Sequence, residues 1–209
     1  MKSVGAVVWF GAISLVSLLS VGAVNGADPV KLTVFFETLC SDSKRFVTNQ
    51  MYPVWQDLKD IMTMDVNVYG KVNETAQDEG YAFRCQHGPE ECHGNMMLTC
   101  AKNYLPEEQF LAFSNCVMET FLATVAEEIC AEALGIDPTA IHNCWNSVEG
   151  QELLHNVGEV QGTLDPPLTY VPWILINDVF TEEQLEAAQK DLRSVICNAY
   201  TGEKPPQCN

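Results

Sequence analysis

Two groups of residues in this chain could do chemistry on sulfur. One is Cys40, which opens Cys40-Ser41-Asp42-Ser43 where an apolar run gives way to a helical pattern. The other is the stretch from Cys85 to Cys100, C-Q-H-G-P-E-E-C-H-G-N-M-M-L-T-C, in which three cysteines stand among histidines and acids. A cysteine at the start of a helix faces free backbone N–H groups and the positive end of the helix dipole, and both favour thiolate over thiol. In a C-x-x-C pair the second thiol expels a mixed disulfide formed at the first, but here Ser43 stands at that second position. A lone thiolate starts the exchange and waits for an outside thiol to finish it. Ser43 is expected to donate a hydrogen bond to the Cys40 sulfur, giving activation without resolution. Lys44 and Arg45 are expected to add positive charge near the thiol, and Asp42 to oppose it.

These groups need a scaffold to hold them. Val30 to Thr38 is rich in β-branched and aromatic residues and reads as a core strand. A helix follows from Ser41 or Asp42, with Phe46, Val47, Met51, Val54, Trp55 and Leu58 as its apolar stripe and Pro53 kinking or dividing it. Met62 to Tyr69 alternates like a second strand. Helical spacing then runs through Asn95 to Tyr104, Pro106 to Leu134, Asp137 to Asn146 and Ser147 to Val160. Strand pattern returns at Thr169 to Ile176, followed by a tight turn at Asn177-Asp178 and one more strand. Thr181-Glu182-Glu183-Gln184 then forms a capping box for a last helix reaching about Tyr200.

This order predicts an α/β chain with a thioredoxin-like fold and a disulfide-stapled all-helical insertion at about residues 85–161. In such folds a cis proline heads the third strand and lies against the active cysteine. Pro172 is placed for that part, with the Val171 backbone ready to pair with an extended substrate.

The chain begins Met1-Lys2 and continues with an uncharged apolar run, the form of a signal peptide; residues 1–26 are expected to be removed, leaving residues 27–209 as one domain. The removed segment carries one lysine and no acid, so the net charge moves from −17 to −18. Such a surface repels nucleic acid and anionic lipid, so neither is an expected partner, and no membrane association is expected once the leader is gone. A pI near 4.4 suits an acidic lumen. Nine cysteines in an exported chain predict disulfides with one thiol left over, and Cys40 is the natural candidate for it. Spacing leaves the pairing of the others open, although Cys197 and Cys208 flank a turn-rich segment and are placed to close a short loop. Asn73-Glu74-Thr75 is a glycosylation sequon, expected on an exposed loop.

Cys85, His87, Cys92, His93 and Cys100 could in principle bind zinc, but C-x6-C-x7-C spacing in an exported chain favours disulfides, so no metal is expected. His142 and His155 sit on helical patterns and read as packing or surface residues. Neither a glycine-rich phosphate loop nor a Ser-His-Asp context is present to support nucleotide or hydrolase chemistry.

The residues Cys85, Gln86, His87, Gly88, Glu91, Cys92, Asn95 and Cys100 match C-Q-H-G-x2-E-C-x2-N-x4-C. In this the chain resembles the gamma-interferon-inducible lysosomal thiol reductase (GILT) family. The resemblance extends to Tyr170-Val171-Pro172-Trp173, to the segment Cys197 through Cys208, and to the placement of Cys116, Cys130 and Cys144. It implies a soluble glycoprotein of lysosomal, endosomal or secreted compartments that reduces disulfides of protein substrates in acid. It implies no bound cofactor, only an external small thiol such as cysteine or glutathione as reductant. Cys40 matches the family's attacking cysteine, and the resolving one has no equivalent here. Two expectations therefore stand side by side: a one-cysteine thiol–disulfide oxidoreductase acting by reduction or isomerisation, and a catalytically weak or inactive secreted binding protein with a role in host defence.

Overall fold

The computed structural model describes residues 1–2, 26–120 and 123–209; nearly all of the expected signal peptide lies outside the described residues. Strand β1 (Val30–Phe36) is the middle of a three-stranded sheet. It pairs in parallel with β2 (Met62–Val68), Val30 opposite Met62 and Phe36 opposite Val68. On its other side it pairs antiparallel with a later strand, Trp173–Ile176, Phe35 opposite Trp173. With helices on both faces a central strand has no solvated side, which explains why Leu32, Val34, Phe35 and Phe36 are all buried and strict alternation is lost.

The crossover from β1 to β2 begins as helix α1 (Ser41–Phe46), passes through one π-helical turn (Val47–Met51) and continues as α2 (Tyr52–Leu58). Pro53 is the second residue of α2, so the π turn takes up the place of its missing N–H donor. Phe46, Val47, Met51, Val54, Trp55 and Leu58 all turn inward onto the sheet.

After β2 the chain makes a hairpin, β3 (Asn73–Ala76) and β4 (Tyr81–Arg84), which the residue pattern does not predict. Asn73 is exposed, but it stands on this strand and not on a loop. Five helices follow: α3 (Pro89–Tyr104), α4 (Glu107–Glu119), α5 (Ala123–Leu134), α6 (Thr139–Trp145) and α7 (Val148–Gly162). The helical run predicted from Pro106 to Leu134 is thus two helices, joined by disulfide Cys116–Cys130. Cys100–Cys144 ties α3 to α6, and Cys85–Cys92 closes the bend before α3 onto its first turn.

Strand β5 (Trp173–Ile176) is shorter than predicted because the cis peptide Val171-Pro172 turns the chain just before it. The turn at Asn177 and Asp178, both at positive φ, leads only to an isolated bridge between Ile176 and Val179, so the expected fourth strand is not formed. Helix α8 (Glu182–Ala199) is capped by Thr181, whose hydroxyl accepts from the Gln184 N–H at 3.1 Å. Cys197–Cys208 fastens the tail to its end.

Candidate active site

Cys40 is the residue at which β1 has ended and α1 has not begun. Its backbone is extended (φ −66°, ψ 123°), and its carbonyl already accepts the first helical hydrogen bond, from the Lys44 N–H at 2.9 Å. It is the one cysteine without a disulfide, and it is half-buried. Its thiol donates to the Val171 carbonyl at 3.8 Å, directly ahead of the cis bond to the buried Pro172. Cys40 and Pro172, 132 positions apart in sequence, therefore meet across the gap between β1 and β5.

The groups around the thiol differ from expectation. Ser43 is 0% exposed, and its hydroxyl accepts from the Glu37 N–H at 3.4 Å; among the described residues it makes no hydrogen bond to Cys40. It braces the turn into α1. Lys44 donates to the Thr120 carbonyl at 2.6 Å, at the end of α4, and burial holds its ammonium below its usual pKa. Arg45 pairs with Asp42. Arg45 is thus neutralised by Asp42 and Lys44 is tethered to a carbonyl, and beside them the backbone N–H groups at the start of α1 supply positive potential.

The signature residues do not form a separate site; they grip the loop leading to Cys40. Gly88 stands just before α3 at φ +91°, a conformation that glycine adopts without strain, and Pro89 is the first residue of the helix. Asn95, fully buried, accepts from both the N–H and the hydroxyl of Thr38 at 3.0 Å and donates to the Tyr69 carbonyl at 3.2 Å. Glu91 accepts from the His87 N–H at 3.0 Å and lies 2.5 Å from His87 Nδ1. Gln86 is exposed and makes no side-chain hydrogen bond among the described residues. The sulfurs of Cys85, Cys92 and Cys100 are bonded to other sulfurs and offer no thiolate to a metal, while the His93 ring packs at a tilt against Trp145 with centroids 3.9 Å apart.

Sequence reasoning missed Glu37 and Thr38. Glu37 is 0% exposed, accepts from the Lys71 N–H, and is pushed above the usual carboxyl range first by burial and then by Glu91. An acid directly after the apolar triplet Val34-Phe35-Phe36, three positions before the cysteine, is the available sign.

A family model described as gamma interferon inducible lysosomal thiol reductase (GILT) matches residues 31–134, a span holding both Cys40 and the whole signature. The gamma-interferon-inducible lysosomal thiol reductase of Carassius auratus is 34% identical over 185 residues, covering 87% of this chain and 73% of that one. GILT-like protein 1 of Drosophila melanogaster is 33% identical over 214 residues, covering 95% and 86%. Among solved structures, BdbD from Bacillus subtilis is similar with a TM-score of 0.56 at 14% identity, covering 78% of this chain and 88% of that one. The DsbA of Chlamydia trachomatis is similar with a TM-score of 0.54 at 16% identity, covering 80% and 87%. At those identities the likeness is one of fold. With relatives above 30% identity matched over most of their length, and with the signature closed around the Cys40 loop on a thioredoxin-like scaffold, the chain belongs to the GILT family.

Proposed function

We propose that this protein is a thiol–disulfide oxidoreductase of the secretory or lysosomal lumen that acts on protein disulfides through Cys40 alone. One observation carries the reading: eight of the nine cysteines are paired and the ninth lies beside a cis proline at the mouth of the fold. The Cys40 thiolate attacks one sulfur of a substrate disulfide, forming a Cys40–substrate disulfide and releasing the other substrate sulfur as a thiolate that takes up a proton. An external thiol such as cysteine or glutathione then attacks the Cys40 sulfur and frees the substrate thiol; a second one releases Cys40 and leaves as the oxidised dimer. Where a thiol of the substrate itself completes the exchange, Cys40 is freed with no net oxidation, which is isomerisation.

Ser43 takes no electrons and cannot resolve the adduct. The substrate's extended backbone is read as lying along Val171, whose carbonyl is free once the Cys40 proton has left. The lumenal location is supported by the four disulfides, by the exposed sequon at Asn73 and by the lysosomal names of relatives.

The test is reduction of a denatured disulfide protein by cysteine in acid buffer, with the unaltered chain beside Cys40→Ser. Loss of rate in the variant is expected, and equal rates would leave only the reading as a binding protein. Ser43→Cys is expected to raise turnover by restoring an internal resolving thiol.

A further inference from the structure

Behind the Cys40 loop, three ionisable side chains from three parts of the chain converge. Glu37 follows β1, His87 belongs to the bend before α3, and Glu91 lies in the first turn of α3. Both carboxylates are 0% exposed, while His87, 36% exposed at its side chain, separates them from solvent. Three of the four carboxylate oxygens have partners: Glu37 Oε1 takes the Lys71 N–H, Glu91 Oε1 the His87 N–H, and Glu91 Oε2 the His87 ring nitrogen Nδ1. Glu37 Oε2 has none among the described residues, and it faces the same Nδ1 at 3.5 Å. One ring nitrogen offers one proton, and Glu91 already receives it.

The charges that face Glu37 are those of Glu91 from α3, His87 from the bend and Lys71 from the segment after β2. With both carboxylates ionised, even a protonated His87 leaves the buried trio one charge negative. A proton on Glu37 Oε2 removes the surplus charge, which burial away from water makes costly. Three donors this close could also surround a divalent cation. The 2.5 Å between His87 Nδ1 and Glu91 Oε2 speaks against one, because two donors on a tetrahedral zinc stand roughly 3.3 Å apart.

The cluster is tied to the reactive thiol by short covalent and hydrogen-bonded links. Glu37 donates its N–H to Ser43, Thr38 is held by Asn95 and by the Glu91 carbonyl at 3.2 Å, and Cys40 is two residues further on. Gly70, at φ +74°, packs so closely on the Glu37 side chain that a Cβ there would overlap it. Glu37 therefore cannot turn outward to water unless the loop moves with it.

We propose that Glu37, His87 and Glu91 form a proton-controlled clasp on the Cys40 loop. With a proton on Glu37 the clasp is closed and Cys40 is held against Pro172; when the proton leaves, the loop loosens and Cys40 loses that position. Glu37 is a positioning residue, and the inference rests on Cys40 being the attacking thiol.

The experiment follows alkylation of Cys40 by iodoacetamide, read by intact mass from acid to neutral pH, in the unaltered chain and in Glu37→Gln. Glutamine keeps the shape and, like the protonated carboxyl, carries no charge, whatever the pH. The two proteins are expected to react alike in acid, with the unaltered chain falling about tenfold behind at neutral pH, the factor that accompanies one pH unit of displaced titration. Infrared spectra of the unaltered chain are expected to show a protonated buried carboxyl in acid that disappears toward neutral pH, a readout that does not depend on the variant folding. Parallel alkylation profiles, or no such carboxyl band, would overturn the clasp alone. Stoichiometric zinc bound by the unaltered chain with loss of the band would also overturn it. No alkylation of Cys40 in either protein would overturn the attacking-thiol reading and the clasp's effect with it.

Discussion

The sheet layer and the helical insertion share one apolar core but differ in whether disulfides reinforce it. Within the unit formed by β1, the crossover helices and β2, stability comes from apolar contact: Leu32, Val34, Phe36, Phe46, Val47, Met51 and Val66 are buried, and no disulfide is present. The insertion buries apolar side chains as well, Leu98, Phe113 and Ile141 among them, and there Cys85–Cys92, Cys100–Cys144 and Cys116–Cys130 add cross-links. The one cysteine of that unit, Cys40, carries no cross-link. The division leaves one thiol without an internal partner, and the signature joins the two regions by reaching from α3 to the loop that presents this thiol.

The strongest way to break this comparison is to remove the central staple. Cys100→Ala with Cys144→Ala is expected to lower stability by about 2–5 kcal/mol, read by urea unfolding, with hydrogen exchange rising first in α3 and α6. An even loss of protection across β1 and β2 would show that the two regions are not separately supported. The next effect is at the junction. Asn95→Ala leaves the buried Thr38 N–H without its acceptor and is expected to cost about 1–3 kcal/mol while also slowing alkylation of Cys40. Destabilisation with unchanged alkylation would separate the signature from the thiol.

A smaller effect follows from pH. Because burial raises Glu37, its contribution is fully present below the ordinary carboxyl range and is lost as pH rises through the raised folded value. The melting temperature of the unaltered chain is therefore expected to fall relative to Glu37→Gln between acid and neutral pH, by the equivalent of about 1.4 kcal/mol for each unit of displacement. A constant difference would place Glu37 outside the titration. The smallest effect is expected at Asn73→Gln, which should remove a glycan mass after expression in a secretory host while shifting stability by less than about 0.5 kcal/mol.

Much of the layer that presents Cys40 was legible because its signals are local. An apolar run ending at a cysteine, a helical stripe from Phe46 to Leu58 and a proline at the head of a strand each describe themselves within a few residues. The hairpin at Asn73–Ala76 and Tyr81–Arg84 was not legible, since its strands are four residues long, largely exposed, and one of them is polar. Lys44 and Ser43 were assigned to the thiol because they are near it in sequence, but their partners, Thr120 and Glu37, are set by tertiary packing. The Glu37, His87 and Glu91 cluster was invisible for the same reason: its first member is separated from the others by the crossover helices and three strands, and only the closed fold brings the three together.

The most direct measurement mixes the reduced protein with a small disulfide in the absence of any other thiol and follows intact mass. A lone attacking sulfur predicts a one-to-one adduct on Cys40 that persists until cysteine is added and then clears. A protein that takes up no adduct at Cys40, or that sheds it without an added thiol, would contradict the account.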